Sequence, residues 1–315
     1  MKAISFDLGG TRMKLCLVSD SKIISKTILP SYSETGLIPR LAAIVIAVNQ
    51  LLENSNLKST DLVGVGISIP GIVDTKKMRV ISINKKFADI VNFDFNEWTQ
   101  KTWGIPCVLE NDARAALIGE WQYGAGKKCD NIVLVTLGTG IGGAAMMEGK
   151  LLHGKHFQAG CLGGHFIINM HGNQCSCGNI GCVESEASSW KLPELFRKHP
   201  EFSKSNASKA GLLDFELLFQ LAAEKDKTAL DIVSDCLNAW SAGIITMIHA
   251  YDPEMVIIGG GVMKSEKQIL PFIQQKVNEY AWTPWGKVVV KSAKFTDEAG
   301  QLGITYLLAK YLENK

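Results

Sequence analysis

Ala3-Ile4-Ser5-Phe6-Asp7-Leu8 is an apolar run with one acid near its end, Gly9-Gly10-Thr11-Arg12 is a turn, and Met13 to Val18 is a second apolar run. The pattern predicts a β-hairpin with a carboxylate at its mouth. It returns later in the chain. Asn131 to Leu137 reads as a strand, Gly138-Thr139-Gly140-Ile141-Gly142-Gly143 as a glycine turn, and Ala144-Ala145-Met146-Met147 as the start of a return strand. The echo indicates duplication of one α/β unit rather than a short-period repeat.

Outward from the hairpins, Leu37 to Leu52 has apolar residues at helical spacing, and Leu62 to Ile69 is a buried-strand run that stops at Pro70-Gly71. Pro106 to Leu109 reads as a strand leading through Glu110-Asn111-Asp112 into an alanine-rich helix, Ala113 to Tyr123. Gly160 to Glu184 is loop-like and Leu192 to Asp231 mostly helical. A long helix, Ile232 to Ala250, feeds the apolar strand Met255 to Ile258, which ends in Gly259-Gly260-Gly261, and Ala299 to Tyr311 closes as a helix. The expected domains are 1–114 and 115–315, with the last helix able to cross back.

The 315 residues are 46% hydrophobic and 20% charged, which excludes disorder and fibre and suits about two domains. Lys+Arg 33 against Asp+Glu 31 leaves a charge of +2, too balanced to hold a polyanion by counterion release, and no nucleic-acid-reading motif stands out. The most apolar stretch, Ala42 to Val48, is far shorter than the roughly 20 residues of a membrane-spanning helix, and the N-terminus runs straight into a strand. The expectation is a cytoplasmic protein with no membrane or nucleic-acid partner.

Three glycine turns that each follow an apolar strand suit a nucleotide, because glycine lets backbone N–H groups approach phosphate oxygens. A single such turn is usually only a tight connection. No Gly-x-x-x-x-Gly-Lys-Ser/Thr string occurs, and no Gly-x-Gly-x-x-Gly opens a strand–helix unit, so Walker and dinucleotide folds are excluded.

The cysteines divide into two sets. Cys16, Cys107, Cys129 and Cys236 are scattered, whereas Cys161, Cys175, Cys177 and Cys182 crowd together. With His165, Cys175, Cys177 and Cys182 supply one imidazole and three thiolates, the donor set of a closed structural Zn²⁺ site. A cysteine-prone loop beside a merely buried histidine is the plainer alternative. Cys161 reads as a packing residue and His171 as solvated.

Asp7-Leu8-Gly9-Gly10-Thr11, Leu137 to Gly143 and Gly259-Gly260-Gly261, in this order, resemble the two phosphate loops and the adenosine loop of the actin-like ATPase and sugar kinase superfamily. Glu110-Asn111-Asp112-Ala113, and His165 followed by Cys175, Cys177, Gly178, Gly181, Cys182 and Glu184, are similar to the ROK family of repressors, open reading frames and kinases. The likeness runs from about Ile4 to about Gly303. It implies an α/β fold of two actin-like, ribonuclease H-like domains around a central cleft, with a zinc-binding loop.

The same resemblance implies site residues. Nucleotide contacts fall to Asp7, Gly9, Gly10, Thr11 and Lys14, to Gly138, Thr139 and Gly140, and to Gly259, Gly260 and Gly261, with Asp7 positioning Mg²⁺. Sugar contacts fall to Gly71, Asn84, Asn111, His165 and Glu184, the metal then shaping the substrate loop. Asp112 matches the catalytic aspartate, and phosphoryl transfer to a hydroxyl needs such a base. From Asn111-Asp112-Ala113 alone a helix cap is the better reading of Asp112, and it is the resemblance that reverses it. Family members are commonly dimers or tetramers, so a homo-oligomer, a dimer, is implied.

The sequence departs from the family pattern at two places, and the second bears on substrate. Lys85-Lys86-Phe87 stands where the family usually has Leu-x-x-Trp after the sugar-contacting asparagine. Leu162 stands where ROK sugar kinases usually place a glutamate three residues before the zinc histidine. An acceptor lost there costs about 1–3 kcal/mol if a hydroxyl is buried unpaired, so the loop suits either a substituted sugar or weaker glucose binding. Family repressors carry a DNA-reading domain ahead of the first loop, and Asp7 leaves no room for one. The expectation is an ATP-dependent, glucokinase-like carbohydrate kinase using ATP, catalytic Mg²⁺ and structural Zn²⁺. The alternative is a non-catalytic sugar sensor.

Overall fold

Strands β1 (Lys2–Leu8) and β2 (Arg12–Ser19) pair antiparallel with Asp7 opposite Lys14, so the first glycine turn closes a hairpin. The computed structural model describes every residue from Met1 to Lys315. Strand β3 (Lys22–Pro30) extends the hairpin as an edge strand. The sequence did not announce it, because Asp20 and Ser21 make the turn at φ 49° and 62° without a glycine to mark it. Helix α1 (Leu41–Asn54) follows Pro39 and buries Ile44, Val48, Leu51 and Leu52, packing on β2 and β3. Next come β4 (Val65–Ile69), the small hairpin β5 (Ile72–Asp74) and β6 (Arg79–Ser82), α2 (Phe95–Trp103), β7 (Cys107–Asn111) and α3 (Asp112–Tyr123). The sheet order is β3-β2-β1-β4-β7, with β1, β4 and β7 parallel. β4 and β7 are buried at every position, which is why they read as continuous apolar runs.

The second half repeats this plan. β8 (Ile132–Leu137) and β9 (Ile141–Met147) form a hairpin extended by β10 (Lys150–Leu151). β9 begins at Ile141, three residues before the expected return strand. Gly143 belongs in it because a Cβ there would lie 3.0 Å from Gly163 Cα. Helices α4 (Val183–Ala187), α5 (Leu192–Lys198), α6 (Phe215–Ala223) and α7 (Lys227–Tyr251) precede β11 (Met255–Gly259), α8 (Glu266–Tyr280) and β12 (Val289–Ser292). Asp214 and Asp226 cap α6 and α7 by accepting the N–H groups of Leu217 and Ala229, so the expected helical stretch Leu192 to Asp231 is broken. The sheet order β10-β9-β8-β11-β12 matches the first in order and sense, as a duplication requires. Its core centres on Trp240, 1% exposed, whose Nε1 donates to Ala187 O at 2.9 Å.

The chain divides into two units: residues Met1–Lys127 with His153–Ala159 and Asp297–Lys315, and residues Lys128–Leu152 with Gly160–Thr296. The boundary expected at 114/115 therefore falls after Lys127. The reason is α9 (Ala299–Glu313), which packs along α3 and against β1, β4 and β7. Gly119 and Gly303 bring the two helices into backbone contact: a Cβ on Gly119 would collide with Ala299 O, and one on Gly303 with Ala115 O. No helix is long and apolar enough to cross a membrane.

Gly303→Val is expected to destabilise the protein by at least about 1–3 kcal/mol through overpacking against backbone, which a shift of the urea midpoint would report. Gly211→Ala, in open surroundings, should stay within about 0.5 kcal/mol.

Candidate active site

At the end of β1, the Asp7 carboxylate receives Ser68 Oγ at 3.3 Å and faces Lys14 Nζ at 3.7 Å. Lys14 also donates to Asp297 Oδ1 at 2.9 Å, so two carboxylates hold one ammonium. Burial pushes the Asp7 carboxyl above the usual range, Lys14 draws it down and the charge of Asp112 raises it further. Lys14 holds Asp297 below its usual range. Asp297 carries no sequence signal; it reaches Lys14 only because α9 returns to this unit. Ser33 Oγ donates to Gly10 O at 2.7 Å, fixing the turn, whereas Thr11 is exposed.

At the junction of β7 and α3, Asn111, not Asp112, is the helix cap. Its Oδ1 accepts Arg114 N–H at 3.2 Å, while Nδ2 donates to Gly71 O and to Asp112 Oδ1, each at 3.1 Å. Gly71 holds φ 103°, which presents that carbonyl. Asn111 thus orients Asp112 rather than offering a free amide. Asp112 Oδ1 also accepts Ala113 N–H at 2.8 Å, leaving Oδ2 without a side-chain partner. Burial raises the Asp112 carboxyl above the ordinary 3.8, opposed by the Ala113 N–H and the positive charge of Lys86. Asn84 lies on an exposed loop. Glu110, 2% exposed, meets His153 Nε2 at 2.7 Å, and Arg114 donates to Phe157 O and Ala159 O at 3.0 and 2.7 Å. These contacts hold His153–Ala159 in the first unit.

In the second unit, His165, Cys175, Cys177 and Cys182 bring four ligand atoms within 4.8 Å of one another. Cys177 and Cys182 sulfurs are 3.7 Å apart, and Cys175 Sγ is 3.6 Å from His165 Nδ1. A tetrahedral ion about 2.3 Å from each sulfur separates two sulfurs by about 3.8 Å, so the set fits zinc dimensions. Leu162, 37% exposed, caps the turn into His165 by accepting its N–H at 2.9 Å. Cys161 and His171 are not in the cluster.

Glu184 ties this loop to the second glycine turn. Its Oε2 accepts Ile141 N–H at 2.9 Å, and Oε1 accepts Trp190 Nε1 at 3.2 Å and Ser176 Oγ at 3.3 Å. A Cβ on Gly140 would lie 2.5 Å from Oε2, so that glycine makes room for the carboxylate. Gly138 and Thr139 line a cavity of about 670 Å³ with Gly261, Val262 and Lys264 from the turn after β11. Phe215, Glu216 and Phe219 of α6 form another wall, and Lys264 meets Glu216 at 3.1 Å. Gly260, at φ 95°, turns beneath Leu137 O, and Gly259 ends β11. Sequence motifs reached the loops of this cavity but not α6, whose phenylalanines look like ordinary core.

The ROK family profile matches residues 3–311. The chain belongs to the ROK family. A glucokinase of Thermotoga maritima is 31% identical over 98% of this chain and 97% of its own length. The xylose repressor of Bacillus subtilis is 28% identical over 71% of this chain and 55% of the repressor. A ROK family glucokinase from Streptomyces griseus, solved in complex with glucose and AMPPNP, superposes with TM-score 0.82 at 26% identity, covering 98% of this chain and all (100%) of that one. The fold is therefore the α/β, actin-like fold of ROK kinases, and the family's relatives include both sugar kinases and repressors.

Elemental measurement should find one zinc per chain. Cys182→Ser should lose it and lower the melting temperature, whereas Cys161→Ser should retain it.

Proposed function

We propose that this chain is an ATP-dependent, glucokinase-like sugar kinase that transfers the γ-phosphoryl group to a hydroxyl of a hexose or related sugar. The observation that carries the reading is the Asn111 cap: with Asn111 closing α3, the Asp112 carboxylate is oriented for another task. Asp112 stands in the same unit as the first phosphate loop and within electrostatic reach of Asp7. The likeness to glucokinases supports the same assignment.

In this reading Asp112 Oδ2 accepts the proton of the sugar hydroxyl as its oxygen attacks phosphorus. Gly9, Gly10 and Thr11 offer backbone donors to the phosphates, as do Thr139 and Gly140, while Gly138 shapes the second turn by donating its own N–H to Gly140 O at 3.0 Å. The cavity walled by Phe215, Phe219 and Val262 takes the base and ribose, turned by Gly259, Gly260 and Gly261. Mg²⁺, when bound near Asp7, neutralises phosphate charge in the transition state. Zinc on His165, Cys175, Cys177 and Cys182 would supply fixed geometry to the loop that carries His165 and Glu184 as substrate-side residues of the second unit, and Gly71 and Asn84 are those of the first. Leu162 presents an apolar surface on this loop, which favours a sugar substituted or deoxygenated at that point. Homodimerisation and a cytoplasmic setting belong to the same reading.

The repressor relatives favour a second reading, a sugar sensor without turnover. ADP release measured over glucose, fructose, mannose, N-acetylmannosamine and allose separates the two: a kinase turns over at least one, a sensor none. Asp112→Asn should lower kcat by about 10²–10⁴-fold while the protein stays folded, and retained turnover would refute the base assignment.

The raised carboxyl of Asp112 also sets two pH dependences. Because the base form appears only above a pKa higher than 3.8, the acid limb of kcat/KM should lie above the ordinary carboxylate range. A folded-state pKa above the unfolded one means the ionised carboxylate disfavours folding. Asp112→Asn should therefore be more stable than the native protein at neutral pH, with the gain fading as pH falls and the native carboxyl protonates, read by urea midpoints across pH.

A further inference from the structure

Lys86 has no role in the reading so far, yet it is held in an unusual place. Its side chain lies against the first phosphate loop: a Cβ on Gly10 would be 2.6 Å from Lys86 Cε and 3.0 Å from Nζ. Any residue larger than glycine at 10 would displace it. On the other side, its charge is felt by the Asp112 carboxyl.

The backbone around Lys86 is strained and anchored. Lys85 and Phe87 sit at φ 58° and 47°, conformations that L-residues rarely adopt. Phe87 is fully buried, and its N–H donates to Ser33 O at 2.7 Å, while Ser33 Oγ donates to Gly10 O at 2.7 Å. One serine thus fastens the Lys86 loop to the glycine turn. Strain of this kind persists only where packing enforces it, and it concentrates at functional sites.

The two lysines beside the turn differ in electrostatic commitment. Lys14 is neutralised between Asp7 and Asp297, at 3.7 and 2.9 Å. Lys86 closes no ion pair and is only half-buried, so its ammonium keeps donors for a ligand. We infer that Lys86 is a phosphoryl-binding residue whose ammonium donates to the non-bridging oxygens of the γ-phosphoryl group between Gly10 and Asp112.

The inference rests on the kinase reading and adds a residue to it. In the transfer, the bond from phosphorus to the bridging oxygen of ADP breaks and a bond to the sugar oxygen forms. The hydroxyl proton passes to Asp112, and Lys86 keeps its protons. Its contribution is charge placed where the transferring group spreads negative charge over its peripheral oxygens.

The test begins with binding, which needs no turnover. Mg²⁺–AMPPNP and Mg²⁺–ADP are titrated calorimetrically against the native protein, Lys86→Met, Lys86→Arg and, as a control, Lys85→Met. Lys86→Met should weaken AMPPNP by about tenfold or more and leave ADP within about twofold, since only the former carries the γ-group. Lys86→Arg should recover part of the loss, and Lys85→Met should behave as native. In the ADP-release assay, Lys86→Met should lower kcat by about 10²-fold with sugar KM nearly unchanged. An unchanged preference for AMPPNP over ADP in Lys86→Met, or kcat within about twofold of native, overturns the assignment. Absence of turnover by the native protein on every sugar would instead count against the kinase reading, while the titrations still decide Lys86.

Discussion

One side-chain amide governs the junction of β7 and α3, on which the proposed base is carried. Asn111 must satisfy the open end of α3, hold the carbonyl of Gly71 and steady the carboxylate of its neighbour, and its three polar positions do all three. The burial that makes the Asp112 carboxyl hard to ionise is the counterpart of this arrangement, an energetic conflict of the kind active sites keep and core positions do not.

The second unit solves a different problem, that of stiffening a loop with little core of its own. Four donors draw the chain around a common point, and Glu184 then fastens the result to the glycine turn through Ile141 N–H. A surface segment is thereby tied to the turn that lines the cavity beside α6. The glycines at 140 and 143 are spatial rather than conformational requirements here, since a carboxylate and a backbone occupy the room a side chain would need.

What was legible in the sequence follows from range. The hairpins at Asp7 and Leu137, the parallel strands at Val65 and Met255, and the cysteine cluster are local patterns whose physics is complete within a few residues. β3 escaped because Asp20 and Ser21 turn the chain without glycine, and the domain boundary because α3 is claimed by a helix at the far end of the chain. Of the candidate site, the glycine loops and Asp112 were named from motif order. Asp297, the α6 wall and Lys86 could not be, because each acquires meaning only from a distant partner: Lys14, the turn after β11 and Gly10 respectively.

The first unit is assembled from three separate lengths of chain, the last of them Asp297–Lys315. During synthesis, the strands of its sheet emerge early but lack the helix that covers β1, β4 and β7 until the whole second unit has been made. The second unit, by contrast, has all of its pieces by Thr296. The order of completion therefore reverses the order of translation: the half that leaves the ribosome first is the half that waits, and its apolar sheet face is what a chaperone would meet.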